Sequence, residues 1–423
     1  MPTCELFRHG RLHTLSGTAE ARGGSAMSEL SIVEDGAVLT RGEQIVWVGP
    51  DAELPADPVS SFDLPRPPRE HDLEGRALLP AFVDSHTHLV WGGDRRDELE
   101  MRLAGADYEE IFAAGGGILS SVRQTRELDE DGLFEQSRRR LERMRRTGTT
   151  AFEVKSGYGL DLETELRQLR VARRLGELSG VRVRTTCLAA HAVPAESRGS
   201  EADRAAFVQR ICDEVLPAVA AEGLADYCDV FCDRGAFTPE ESRQVLAKAR
   251  ALSMAVRVHA NEFGHTGGAT VAAEFAAASA DHLLHLDADE RRALREAGVV
   301  ATLLPGTSLV LGKSFADGRA MVDDGLAVAV ATDCNPGSCA FENLAMVLAL
   351  ACYGCRLSPS EAICAVTHNA AVSLGLGHER GRLAAGLQAD LLCLDVDDIR
   401  DLVYHAGSPL IAEVWSAGAR ISS

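Results

Sequence analysis

The stretch Leu79-Pro80-Ala81-Phe82-Val83-Asp84-Ser85-His86-Thr87-His88 decides the fold. A short apolar run ends in a polar cluster, and on an extended chain its two histidines, two residues apart, point to the same side. Seven more apolar runs follow, at residues 150–154, 181–188, 226–231, 255–258, 278–282, 299–304 and 327–331, each separated from the next by room for a helix. Eight strands alternating with helices, the first at 79–83, predict a parallel (β/α)8 TIM barrel.

Outside this repetition the pattern changes. Residues 37–40 and 45–49 read as short strands, and the Pro-rich 64–68 reads as a loop closing that segment. Short β signals return at 381–383, 389–395 and 413–415. The expected division is residues 1–77 and 377–423 as the two parts of a small β-sandwich domain, with the barrel, 78–376, inserted between them.

Composition narrows the class. The chain has 423 residues, enough for a barrel of roughly 250 residues plus an appendage. Its 46% hydrophobic and 25% charged content is that of a globular protein. A net charge of -20 opposes binding to a phosphate backbone, so nucleic acid is not an expected partner. The arginines at 138–140, 143, 145 and 146 read as the solvated face of an amphipathic helix. No apolar stretch reaches the ~18 residues of a membrane span, and no export signal opens the chain. Eleven scattered cysteines suit a reducing compartment, and a cytoplasmic location is expected. Cys352 and Cys355 have CxxC spacing, but no second pair answers them, so burial is the expected fate of both.

Chemistry is expected where strands end. His86 and His88 follow the first strand, His259 ends the fifth with Asn261 and Glu262 after it, and Asp333 follows the eighth. Three imidazoles and a carboxylate make a donor set for zinc or iron with a position left open for water. A metal so held lowers the pKa of water to ~7 and polarises a carbonyl, which favours hydrolysis of amide or amidine bonds. His191 and His282, also near strand ends, are candidates for proton transfer or oxyanion stabilisation, and Glu262 for moving protons or binding a ring nitrogen.

The ordered blocks 86–95, 115–118, 153–159, 190–194, 259–262, 279–283, 304–307 and 332–338 resemble the imidazolonepropionase family of the amidohydrolase superfamily over nearly the whole chain. The resemblance implies a hydrolase of cyclic amides, opening 4-imidazolone-5-propanoate to N-formimidoyl-L-glutamate in histidine degradation with one zinc or iron ion. It implies His86, His88, His259 and Asp333 as metal ligands, and Arg95 and Tyr158 on the propanoate carboxylate. His191 and Glu262 would contact the ring, and His282 and Asp333 are both candidates for shuttling the water proton. Asn335, Gly337 and Ser338 would form a loop against substrate or product. A small-molecule substrate and a homodimer are the implied partners. A deaminase of the same superfamily is the nearest alternative, since a histidine followed by a glutamate also suits ring deamination. A neutral base, however, gives no reason for Arg95. A barrel that binds metal without catalysis is the other.

Two motifs are set aside. Gly115-Gly116-Gly117 lacks the Lys-Ser/Thr of a phosphate-binding loop. Lys155 follows the second strand, not the fourth, where a carboxylated lysine would bridge two metals, so one ion is expected. Departures from the family pattern are local: Cys334 stands for an aromatic, Cys339-Ala340 for Ser-Pro, Cys187 for an apolar residue and Asn261 for Asp. The two loop cysteines suggest sensitivity to thiol reagents.

Overall fold

A computed structural model describes residues 2–106, 110 and 115–422, and its strands form two sheets. The first strands are β1 (Cys4–His13), β2 (Ile32–Arg41), β3 (Gln44–Pro50), β4 (Arg69–Asp72) and β5 (Ala77–Pro80). The barrel follows as β6 (Phe82–Asp84), β7 (Thr149–Lys155), β8 (Arg182–Ala190), β9 (Tyr227–Cys232), β10 (Ala255–Ala260), β11 (Ser279–His282), β12 (Val300–Leu303) and β13 (Val328–Val330). The chain then returns to the first sheet with β14 (Leu391–Leu394), β15 (Ile411–Ser416) and β16 (Ala419–Arg420).

The barrel strands pair in parallel and in chain order from β6 to β13. Between β13 and β6 the ring is completed just beyond the strand ends. Asp333 N donates to His86 O at 3.0 Å, His88 N to Cys334 O at 3.0 Å, and the Asp84 carboxylate accepts from Thr332 N and Oγ1. The seam therefore runs through the residues that carry the histidine pair. The strands are buried on both faces, which is why they read as near-continuous apolar runs. The intervening helices carry conventional start signals; Thr238/Glu241, Asp287/Glu290 and Ser358/Glu361 each close a reciprocal capping box.

The separate mixed sheet runs β16-β15-β14-β5-β1-β2-β3, with β4 alongside β1. Both ends of the chain supply it, as expected. The apolar run at 79–83 is not one strand, however. β5 pairs with β1 and β14, Ala81 N donates to Asp390 O, and the barrel begins at Phe82. Hydrophobicity alone cannot mark that break, because both strands are buried. Residues 381–383, expected as a strand, form none; Gly381 and Arg382 form a bend, and the buried Leu383 donates its N–H to Thr14 O.

The arginine-rich helix, Glu130–Arg146, is solvated only in part. Arg138 and Arg145 pair with Glu135 and Glu142 on its surface. Arg140 turns inward, against expectation, with its guanidinium 3.5 Å from the Trp91 ring centroid and its Nη1 donating to Leu89 O and Trp91 O. Two carbonyls and an aromatic face replace its water. Among the described residues no helix is long and apolar enough to cross a membrane.

Candidate metal centre and substrate cavity

Alternation along the end of β6 points Asp84, His86 and His88 into the barrel, and the same rule aims Arg257 and His259 inward from β10. Asp333 arrives from the β13 end with a left-handed backbone, φ 51°. Asn261 and His282 do the same beyond β10 and at the end of β11, with φ 53° and 78°. Non-glycine residues rarely hold this conformation, and its concentration at three strand ends marks a place where side-chain aim outweighs backbone comfort.

The donors converge. Asp333 Oδ1 lies 3.5 Å from both His86 Nε2 and His88 Nε2, and His259 Nε2 is 3.4 Å from His88 Nε2. All four side chains are buried. Behind them, Asp281 accepts from His86 Nδ1 at 2.7 Å, and Asp229 Oδ2 sits 2.9 Å from His259 Nδ1. The hydrogen bond to Asp281 fixes the Nδ1–H tautomer of His86, the nearby Asp229 carboxylate favours the same tautomer at His259, and both Nε2 lone pairs are left facing inward. His86 Nε2 has no hydrogen-bond partner among the described residues. Lone pairs crowded around a carboxylate oxygen repel one another unless a cation sits among them, so this N3O set fits a divalent metal ion. His86, His259 and His282 also lie close enough to share one.

Burial pushes the His86 and His88 imidazoles far below the ordinary histidine range and raises Asp333. Burial would raise Asp229 too, but His259 and Lys155 beside it hold its carboxyl well below the usual range. Asp333 Oδ2 accepts from Thr307 Oγ1 at 2.5 Å, so only Oδ1 remains for the cluster.

A cavity of about 400 Å³ opens above these groups. Arg95, Tyr158, His191, Glu262, His282, Asn335, Gly337 and Ser338 all line it beside His88, His259 and Asp333, so the residues singled out from sequence share one space; His86 lies behind them. His191 stacks on His88 and meets Gly157 O through Nδ1 at 3.1 Å. Burial takes its pKa down to about 3, so it is neutral and presents Nε2 as an acceptor. Glu262 Oε2 is 3.7 Å from His282 Nδ1.

Arg95 is less free than its spacing suggested. Its Nε and Nη2 donate to Glu98 at 2.8 and 2.5 Å, leaving the Nη1 edge, which lies against Gly337. A Cβ on Gly337 would sit 1.9 Å from that nitrogen, so any larger residue there would have to push the Arg95 guanidinium aside. Asn335 spends its amide within the loop, accepting from Gly337 N and Ser338 N at 2.9 and 2.8 Å. Cys334 and Cys339 are buried and absent from the cavity wall, and burial pushes Cys339 up to about 12, which argues against the expected thiol sensitivity. Cys352 and Cys355 are likewise pushed up to about 12 by burial.

Sequence reasoning missed Glu98, Arg102, Phe231, Phe263 and Lys313, all on the cavity wall. Lys313 pairs with Glu262 at 3.2 Å and sits 3.6 Å from the Phe263 ring centroid. None of the five ends a strand with a metal-ligand residue type. The carboxylates behind the histidines did leave a signal: Asp229 and Asp281 are charges inside apolar barrel strands, where charge is otherwise rare.

Residues 77–421 match the amidohydrolase family. The chain is similar to imidazolonepropionase of Pseudomonas aeruginosa, 43% identical over 96% of this chain and 96% of that one. It is also similar to imidazolonepropionase of Deinococcus radiodurans, 45% identical over 94% and 95%. Among solved structures, a zinc-bound adenosine deaminase from Xanthomonas campestris superposes with a TM-score of 0.70, covering 99% of this chain and 93% of its own at 19% identity, a likeness of fold.

Proposed function

The chain belongs to the imidazolonepropionases of the amidohydrolase family, and from that membership we propose that it hydrolyses the cyclic amide of 4-imidazolone-5-propanoate to N-formimidoyl-L-glutamate in histidine degradation. The observation that carries this reading is that one cavity brings together an N3O donor cluster and the guanidinium of Arg95. A ring bearing a carboxylate arm uses both; a neutral base uses only the first.

His86, His88, His259 and Asp333 would hold one zinc or iron ion, which would supply Lewis-acid polarisation of a carbonyl and a water of lowered pKa. Arg95 holds the propanoate through its Nη1 edge, with Tyr158 beside it. His191, a neutral acceptor at Nε2, takes a ring N–H, and Glu262, balanced by Lys313, contacts the ring from the other strand end. The water proton goes to His282 rather than Asp333, because the second Asp333 oxygen is already engaged by Thr307. From His282 the proton has Glu262 within 3.7 Å. The loop of Asn335, Gly337 and Ser338 closes the wall beside Arg95. Eleven unpaired cysteines suit the cytoplasm.

The test is an anaerobic absorbance assay for loss of the imidazolone with metal-quantified protein, and mass spectrometry of the product. Metal-dependent formation of N-formimidoylglutamate is the expected result. Absence of turnover with metal bound, together with ammonia release from a neutral cyclic base, would overturn the reading in favour of a deaminase.

A further inference from the structure

Beneath the donor cluster lies a group of charges that the proposed reaction does not use. Lys155, at the end of β7, is fully buried, with its Nζ 2.7 Å from Glu153 Oε1, 2.7 Å from Asp229 Oδ2 and 3.7 Å from Asp281 Oδ2. Asp229 and Asp281 are the two carboxylates that orient His259 and His86. Arg257 approaches Glu153 through Nε at 3.4 Å and Asp281 through Nη2 at 3.8 Å, while its Nη1 donates to Ser373 O and its Nη2 to Ser85 O. Glu153 has further donors in Thr186 Oγ1 and Thr87 N. Asp229 and Asp281 have Lys155 in common.

This arrangement disposes of a carboxylated lysine. An anionic carbamate at Nζ would face three buried carboxylates, and the space around Nζ is taken by them. As an ammonium the side chain does something else. A carboxylate that orients a metal-bound imidazole does so only while its own position is fixed, and such outer partners are worth 10–100-fold in metal affinity.

We propose that Lys155 is a positioning residue of the metal centre: its ammonium ties Asp229 and Asp281 together, so that His259 on β10 and His86 after β6 are aimed as one unit. The proposal rests on the metal-site reading above. It predicts coupling between two histidines from separate strands, each through its own carboxylate and both through one nitrogen. Neutralising either carboxylate lets Lys155 close on the other and disturbs both histidines.

The experiment measures zinc affinity by competition with a chelating dye, alongside circular dichroism and melting of the metal-free protein. Charge is kept balanced in Lys155→Met/Glu153→Gln, which removes one cation and one anion from the buried group. The expected result is a wild-type spectrum with zinc bound 10–100-fold more weakly. Zinc affinity within threefold of wild type in that double variant would overturn the proposal, since Lys155 would then only balance charge. Should the double variant not fold, Asp229→Asn, Asp281→Asn and their combination decide. Coupling through Lys155 predicts that the combined loss is smaller than the product of the single losses; a combined loss equal to that product refutes it. Failure of the wild-type protein to bind zinc would instead fail the metal reading itself, and with it this proposal.

Discussion

Replacing Arg95 by alanine tests the carboxylate arm. In the free protein Arg95 already spends Nε and Nη2 on Glu98, so a substrate carboxylate meets only the Nη1 edge and gains about two charge-assisted hydrogen bonds. At about 1.5–3 kcal/mol each, two bonds amount to roughly 3–6 kcal/mol. With the Arg95 side chain only 13% exposed, screening is slight, and the lower half of that range converts to a loss of about 10²–10³ in kcat/KM. Removing the arginine also strands Glu98, which is 9% exposed and then faces the substrate carboxylate unpaired. Arg95→Ala/Glu98→Gln removes that repulsion and should recover about tenfold of the loss. The absorbance assay reads both variants, and uniform binding predicts that the change falls mainly on KM. A kcat/KM for Arg95→Ala within threefold of wild type refutes the clamp. A double variant worse than the single refutes the role given to Glu98.

Three further outcomes are expected. His259→Ala should lose stoichiometric metal, because it deletes a donor and leaves Asp229 facing an empty space; retained metal with full turnover would show that the donor set is wrong. Native protein should keep its activity after treatment with iodoacetamide, since burial raises Cys334 and Cys339 and neither lines the cavity, whereas denatured protein should expose all eleven thiols to titration; rapid inactivation of the native form would contradict this. Stability should fall with acid through His13. Burial, helped by Arg11, takes its pKa to about 4, and neither ring nitrogen has a hydrogen-bond partner among the described residues. The unfolded chain binds a proton at His13 below about 6.5 and the folded chain only near 4, so the contribution is complete above pH 6.5 and is lost as pH falls to 4, up to about 3 kcal/mol. The melting temperature of His13→Leu should therefore fall less than wild type over that window, and parallel curves would refute the assignment.

How far the sequence carried each of these arguments depends on what kind of residue bears it. The barrel was legible because a parallel strand buried on both faces leaves an uninterrupted apolar run, and seven of the eight runs landed on a strand in order. The eighth misled for the same reason: β5 and β6 are both buried, so the step from one sheet to the other at Ala81 leaves no polar mark. Arg140 misled in the opposite direction, since an arginine among arginines on a helix reads as solvated until a tryptophan and two carbonyls are seen to receive it. Cavity residues were legible where a histidine or an aspartate ended a strand. Glu98, Arg102 and Lys313 come from helices and loops whose path over the mouth is set by packing, which periodicity does not report.

The buried charges under the metal site show why the remaining gap is physical. Lys155, Asp229, Asp281 and Arg257 come from four strands, and what relates them is the register of parallel pairing: Arg257 opposite Asp229 on one side, His259 opposite Asp281 on the other. A one-residue slip of β10 would turn His259 and Arg257 outward together and bring Val258 inward, removing one donor from the set, His259 from Asp229 and Arg257 from Asp281 in one step. Register at the heart of this barrel is thus specified by charge as well as by hydrophobic pattern, because a misregistered strand would leave buried carboxylates with fewer partners. The same residues that aim the histidines therefore exclude the alternative pairing. That gives the fold a reason to keep these four charged side chains where apolar ones would pack.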